Sequence, residues 1–133
     1  IELIRSSSNS FKISLNFCNK SSNSTIFVEK SIKSKWGGVD IVINNIGGGG
    51  RWGKPDLLDT EDIVWREVYD KNLTAAMKYT KMFLPTMLER KWGRVVTITS
   101  IYGKQAVGRP WFNISKTAQT TLSISLQRLR WVT

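Results

Sequence analysis

The stretch GRPWFNISKTAQ (108–119) places Phe112 four residues before Lys116. On a helix that spacing stacks two side chains on one face, one turn apart. A tyrosine at 112 would set a phenol beside an ammonium, a recognised acid/base pair. A cation within about 4–6 Å favours the phenolate and draws a group of pKa about 10 toward a useful range. Phenylalanine has no hydroxyl with which to give or take a proton. Three further places carry polar groups that chemistry could use: Ser100 at the end of RVVTITS, Asn72 in KNLTAAM, and Asn44-Asn45 ahead of four glycines. A serine hydroxyl can stabilise oxyanion charge. Each also has a plainer reading on its own. Asn-Asn-x-Gly makes a turn, and Ser100 suits a strand end or a turn cap.

The chain that must position these groups has 133 residues, enough for one modest domain with a real core. Its apolar fraction of 41 %, with six Trp, five Phe and three Tyr, belongs to a globular protein. No stretch approaches 18 uninterrupted apolar residues, so no membrane-spanning helix is expected. The opening IELIRSSSNS lacks the apolar run of a signal peptide and reads as a point inside a longer chain. The lone Cys18 has no internal disulfide partner, which fits a reducing, cytoplasmic setting. The absence of histidine removes Ser–His–Asp and Cys–His catalysis and most zinc chemistry, and no metal site is expected. The net charge of +10 is spread from Arg5 to Arg130 without a long basic run, which describes a solvated face rather than a nucleic-acid site. Anionic cofactor phosphates or acidic substrates could use part of it.

The elements alternate. Residues 1–10 are polar and Ser-rich and read as a helix end followed by a turn. FKISLNFC (11–18) alternates as a strand does, and NKSSNSTIFVEKSIKSKWGG carries Ile26, Phe27 and Ile32 at helical spacing, with Gly37-Gly38 as a stop. VDIVINN (39–45) and RVVTITS (94–100) are β-branched runs of the kind buried in parallel sheets. Between them, Ile63, Val64, Val68, Leu73, Met77, Met82, Phe83 and Leu88 recur at helical spacing from about 62 to 90, with Pro85 as a possible bend. A last helix is expected over about 111–130. Strand–helix alternation of this type predicts a parallel α/β fold with right-handed crossovers, in which ligands sit beyond the carboxyl ends of the strands.

Four segments in order resemble the short-chain dehydrogenase/reductase family. VDIVINNIGG is similar to its V-D-x-L-V-N-N-A-G, and KNLTAAM to its N-x-x-x helix segment. GRVVTITSIYG is similar to G-R-I-V-x-x-S-S, and FNISKTA to Y-x-x-x-K. The resemblance covers roughly residues 11–130. It implies a Rossmann-like, doubly wound parallel sheet with helices on both faces, incomplete at both ends, and an NAD(P)(H)-dependent carbonyl/alcohol oxidoreductase using NAD or NADP. By the same resemblance Ser100 would hydrogen-bond the substrate oxygen, Lys116 would contact the nicotinamide ribose, and Asn72 would hold a water in a proton relay. Asn44, Asn45, Ile46 and Gly47 would line the adenosine and ribose side of the cofactor, with Asn16 and Phe17 near the adenine.

The chain departs from the family pattern at four places. Phe112 stands where the general-acid tyrosine would be; it is either a helix-start aromatic packed on the sheet or an apolar wall beside the nicotinamide. The T-G-x-x-x-G-x-G loop that seats pyrophosphate on a helix N-terminus is absent, and the four glycines at 47–50 lack its spacing. Asn16 replaces an aspartate. Ser100 and Phe112 lie 12 positions apart, one fewer than the pattern. In the doubly wound order 3-2-1-4-5-6, the strand at 11–18 would be the outer one, separated from VDIVINN by two absent neighbours. The chain would then be a single partial Rossmann-type domain, lacking the cofactor loop and the last strands.

Two functions follow from the resemblance. One is an oxidoreductase acting on a small carbonyl or alcohol, with Tyr102 or Lys104 as replacement acids or Tyr102 merely packed on its loop. The other is a catalytically impaired member serving as a cofactor-binding or oligomer-assembly subunit, a homo-dimer or tetramer, with Trp65 and Trp111 at an interface or in the core. No nucleic-acid or membrane partner is expected.

Overall fold

The computed structural model describes residues 2–5, 11–15, 22–105 and 107–129. Asn16 and Phe17, both expected near the adenine, lie outside them. The elements run β1 (Glu2–Arg5), β2 (Phe11–Leu15), α1 (Ser22–Trp36), β3 (Ile41–Asn44), α2 (Asp62–Tyr69), a π-turn (Asp70–Thr74), α3 (Ala75–Glu89), β4 (Arg94–Thr97), a 3-10 turn (Ile101–Gly103) and α4 (Pro110–Leu126).

The strands form one sheet in the order β1-β2-β3-β4. β2 pairs with β3 in parallel, Lys12 opposite Ile41 through Leu15 opposite Asn44. β3 pairs with β4 in parallel, Ile41 opposite Arg94 through Asn44 opposite Thr97. Two expectations are corrected here. The strand at 11–15 adjoins β3 directly, because the 15-residue α1 is a sufficient crossover between neighbours. Residues 2–5 form a strand rather than a helix end, paired antiparallel with β2, Glu2 opposite Ser14 through Arg5 opposite Phe11. The expected α/β architecture with a parallel centre is present and partial, with an antiparallel edge.

Local sequence explains the boundaries. The β-branched runs IVIN and RVVT suit a pleated, packed surface. Lys33 and Lys35 complement the carboxyl end of α1, which stops at Gly37 and Gly38, with φ of 72° and 148°. Asp62 lies in the first turn of α2, and Pro110 opens α4 where its missing N–H costs nothing. Pro85 sits inside α3, which continues to Glu89.

The steps β2 to β3 to β4 run in one direction along the sheet, so crossovers of one hand place their helices on one face. That face carries Val42 and Asn44, both fully buried. Ile32 of α1 and Tyr79, Phe83 and Met87 of α3 close over Val42, with Val39, Ile46 and Ala75 in the same cluster. On the other face of β4 the chain leaves Val96 43 % exposed, and Ile98 beyond it 48 %. Arg90 ties the end of α3 to the start of β3, donating from Nη2 to the Val39 carbonyl at 2.8 Å and pairing with Asp40 at 3.0 Å.

Candidate active site around Lys116

The break between α2 and α3 supplies the first group. At the π-turn the side chain of Asn72 donates from Nδ2 to the Val68 carbonyl at 2.7 Å, four residues earlier. A regular helix would offer that carbonyl to the backbone N–H of residue 72. The Ala75 N–H reaches back five residues, to Asp70. Single π-turns of this kind recur at functional sites. Asn72 Nδ2 also donates to the Gly48 carbonyl at 2.9 Å, so the turn is fastened to the loop leaving β3. Asn72 is fully buried, and its Oδ1 has no hydrogen-bond partner.

α4 supplies the cation. Lys116 is 4 % exposed, and its Nζ donates to the Ile46 carbonyl at 3.1 Å and to Gln119 Oε1 at 2.9 Å. Gln119, fully buried, donates from Nε2 to the Asn72 carbonyl at 2.9 Å and to the Ile46 carbonyl at 3.3 Å. One amide thus bridges the ammonium to the π-turn. Burial lowers the Lys116 pKa from 10.5 to about 8, because the charged form loses hydration that neutral carbonyls only partly replace. The ammonium remains the main form at neutral pH. Gly47 lies directly over this group. A methyl group there would stand 2.7 Å from Lys116 Nζ and 3.1 Å from Asn72 Oδ1, so a side chain at 47 would require these two groups to shift.

Phe112 lies one turn before Lys116, whose Nζ is 5.7 Å from the ring centroid. The half-buried ring packs on the Gly50 backbone and meets Tyr102 edge-on, centroids 5.8 Å apart. Phe112 lines an open cavity. Tyr102, 39 % exposed, lines the same cavity and lies against Gly108. Ser100 caps the 3-10 turn, its Oγ accepting from the Tyr102 N–H at 3.3 Å. That turn is held on α4 by the Thr117 hydroxyl, which donates to the Gly103 carbonyl at 3.0 Å.

The cavity, of about 720 Å³, lies between the glycine-rich loop and the start of α4. Its loop wall is pinned by Arg109, whose Nη1 donates to the carbonyls of Arg51 and Trp52 at 2.6 Å each, and to that of Gly53. Thr60 secures the far end, its hydroxyl directed at the carbonyls of Lys54 and Asp56, each at 3.0 Å. Trp111 is 1 % exposed and packs edge-on with Trp65 at 5.4 Å between α4 and α2, so its place is the core rather than an interface.

The expected residues therefore divide. Lys116, Asn72, Gly47 and Ile46 converge, although Ile46 contributes its carbonyl while its side chain is buried in the core. Phe112 adjoins them, and Ser100 joins through Tyr102. Asn44 lies deeper, donating from Nδ2 to Thr80 Oγ1 at 3.1 Å and leaving Oδ1 without a partner. Asn45 is exposed at the strand end. Gln119 and Arg109 were not anticipated. For Gln119 the one available sign was its place one turn beyond Lys116 on the same helical face. A glycine without room for a methyl, a buried ammonium and an unpartnered buried amide oxygen suit the hydroxyls of a ribose, so Gly47, Lys116 and Asn72 are the residues that could hold that part of a nicotinamide dinucleotide.

The sequence and the fold are similar to those of known proteins. The family described as short chain dehydrogenase matches residues 6–129. Dehydrogenase/reductase SDR family member 7 of Mus musculus is 37 % identical over 78 residues, covering 59 % of this chain and 22 % of that protein. Acetoacetyl-CoA reductase of Cupriavidus necator is 35 % identical over 82 residues, covering 56 % of this chain and 29 % of its own length. Among solved structures, an actinorhodin polyketide ketoreductase variant with NADPH superposes with a TM-score of 0.76 at 31 % identity, over 87 % of this chain and 46 % of that one. A 7α-hydroxysteroid dehydrogenase complexed with NADH and 7-oxo glycochenodeoxycholic acid gives 0.70 at 26 %, over 83 % and 42 %. The chain thus spans less than half the length of these relatives. With its family segments in order along one Rossmann-type sheet, it belongs to the short-chain dehydrogenase family.

Proposed function

We propose that this chain is the central part of an NAD(P)(H)-dependent oxidoreductase that interconverts a small carbonyl compound and its alcohol. Residues 1–133 make one partial Rossmann-type domain in this reading. The observation that supports it most is the convergence of Lys116, Asn72 and Gly47 beyond the carboxyl end of β3, where α/β sheets take their ligands. When bound, the nicotinamide supplies or accepts a hydride. Lys116 and the Gly47 backbone would hold its ribose, and Ser100 would steady the substrate oxygen. The proton that accompanies hydride transfer has no phenol at 112 to come from. Tyr102, whose ring adjoins Phe112, is the nearest phenol on the cavity wall.

A second reading is a cofactor-binding or assembly subunit with the chemistry disarmed. Phe112 supports it, and so does Gln119, because an amide bridging Lys116 to the Asn72 carbonyl occupies the path that a proton-carrying water would use. Under either reading we place the protein in the cytoplasm as a homo-oligomer, a setting that a single cysteine in the chain favours. Titration with NADH and NADPH, followed by a panel of carbonyl substrates, tests the proposal. Turnover by the natural sequence supports the oxidoreductase. Binding without turnover, with turnover gained in Phe112→Tyr, selects the disarmed site. Loss of binding to both nucleotides removes the cofactor-based readings.

A further inference from the structure

We propose that the cavity beside Phe112 takes a carbonyl compound that carries its own anionic group and a flat apolar part, with Arg51 and Arg109 receiving the anion. This deepens the oxidoreductase reading and rests on it for the word carbonyl. The cavity volume of about 720 Å³ lies within the range of small-molecule sites. Its walls are Trp52, Tyr102, Val107 and Phe112, three of them aromatic, and the charged residues on its lining are two arginines with no carboxylate. Among the described residues neither arginine is in an ion pair. Asp56, next in sequence to the lining Pro55, turns its Oδ1 to the Leu58 N–H at 2.7 Å.

The arginines differ in what they can offer. Arg109 spends Nη1 on three loop carbonyls, which leaves part of a five-donor guanidinium for a ligand and fixes where it stands. Arg51, on the loop that Arg109 holds, is exposed, and its side chain makes no hydrogen bond among the described residues. A third positive charge lies close by, with Lys71 Nζ 4.7 Å from the Trp52 ring centroid. Aromatic rings and guanidinium groups at one mouth favour a carboxylate or phosphate on a planar frame over a neutral lipid-like ketone. Planar, paired donors on arginine match such anions.

The test uses the whole chain and two probes of nearly the same shape: benzoylformate, an aromatic 2-oxo acid, and 1-phenylpropane-1,2-dione, in which a neutral acetyl group replaces the carboxylate. Affinities are read by calorimetry, with NADPH titrated separately into the same preparation. Benzoylformate is expected to bind about tenfold more tightly than the dione, a difference of the size a charge-assisted hydrogen bond gives. Arg51→Met is expected to reduce that preference to the part Arg109 supplies and to leave dione binding within about twofold, since the exposed side chain supports no internal contact. Equal affinity for the two probes, binding of neither, or an equal loss of both in Arg51→Met overturns the proposal. NADPH binding without an anion preference removes this inference and leaves the oxidoreductase reading. An anion preference without nucleotide binding does the reverse.

Discussion

Gln119 accepts the Lys116 ammonium at 2.9 Å from one turn further along the same helix. The same side chain turns its amide nitrogen to the π-turn, reaching the Asn72 carbonyl at 2.9 Å. The Lys116 ammonium is thereby tied, through one buried amide, to the π-turn that carries Asn72. The tie is tested by two substitutions of opposite chemistry. Gln119→Leu removes an acceptor of the charged form and should lower the Lys116 pKa further, with a stability loss of about 2–3 kcal/mol for the buried groups left unpaired. Gln119→Glu places a carboxylate against the ammonium and should raise that pKa instead. Reductive methylation with carbon-13, followed by NMR titration, reads both shifts; movement in the same direction would refute the tie.

Phe112→Tyr should fold with stability changed by less than about 1 kcal/mol, because the half-buried ring lines a cavity that leaves room for a hydroxyl. Its phenol and the Lys116 ammonium, one helical turn away, should titrate as a coupled pair in which each charge favours the other, so adding Lys116→Met should raise the phenol's titration point. Ultraviolet difference titration against the natural sequence isolates this one tyrosine.

Stability should rise with pH across the alkaline window. Burial lowers the Lys116 pKa to about 8 in the fold, while the unfolded chain keeps 10.5. Below 8 both states carry the proton, and the fold bears the whole desolvation cost. Between the two values the unfolded chain binds the proton and the fold does not, so unfolding becomes harder as pH increases, by roughly 3 kcal/mol over the window. Urea midpoints from pH 7 to 10, compared with those of Lys116→Met, should show the extra slope in the natural sequence alone.

Arg109→Met should free the loop at 51–53, which loses three hydrogen bonds from one nitrogen. Faster amide exchange at Trp52 and Gly53, with α3 unchanged, is the expected pattern. Uniformly faster exchange would instead mean global destabilisation.

How much of this could be read beforehand depended on the range of the forces involved. The runs around Val42 and Val95 declare themselves as strands through β-branched side chains, and Lys116 and Asn72 through motif spacing. Gln119 does not, because a glutamine among threonines and serines looks like a solvated face. Its burial is decided by carbonyls 47 and 73 positions away. The strand at 2–5 was hidden similarly: ELIR becomes a strand by pairing with β2, not by its own pattern. The order of the sheet eluded reading for a different reason. The resemblance implied neighbours for β3 from outside this stretch, whereas the pairing available inside it is β2 on β3.

The π-turn has a consequence for how this protein can vary. Its five residues let α2 lie against α4 while α3 lies against β3. A residue deleted between 70 and 74 would let regular winding return with the two helices still in phase, whereas winding the same residues as an unbroken α-helix would rotate one helix against the other by about 100°. In the second case the helical content would barely change, yet Trp65 and Val68 could not face α4 while Tyr79 and Phe83 face the sheet. The segment works as a phase shifter, absorbing one residue so that both helices keep the faces their partners need.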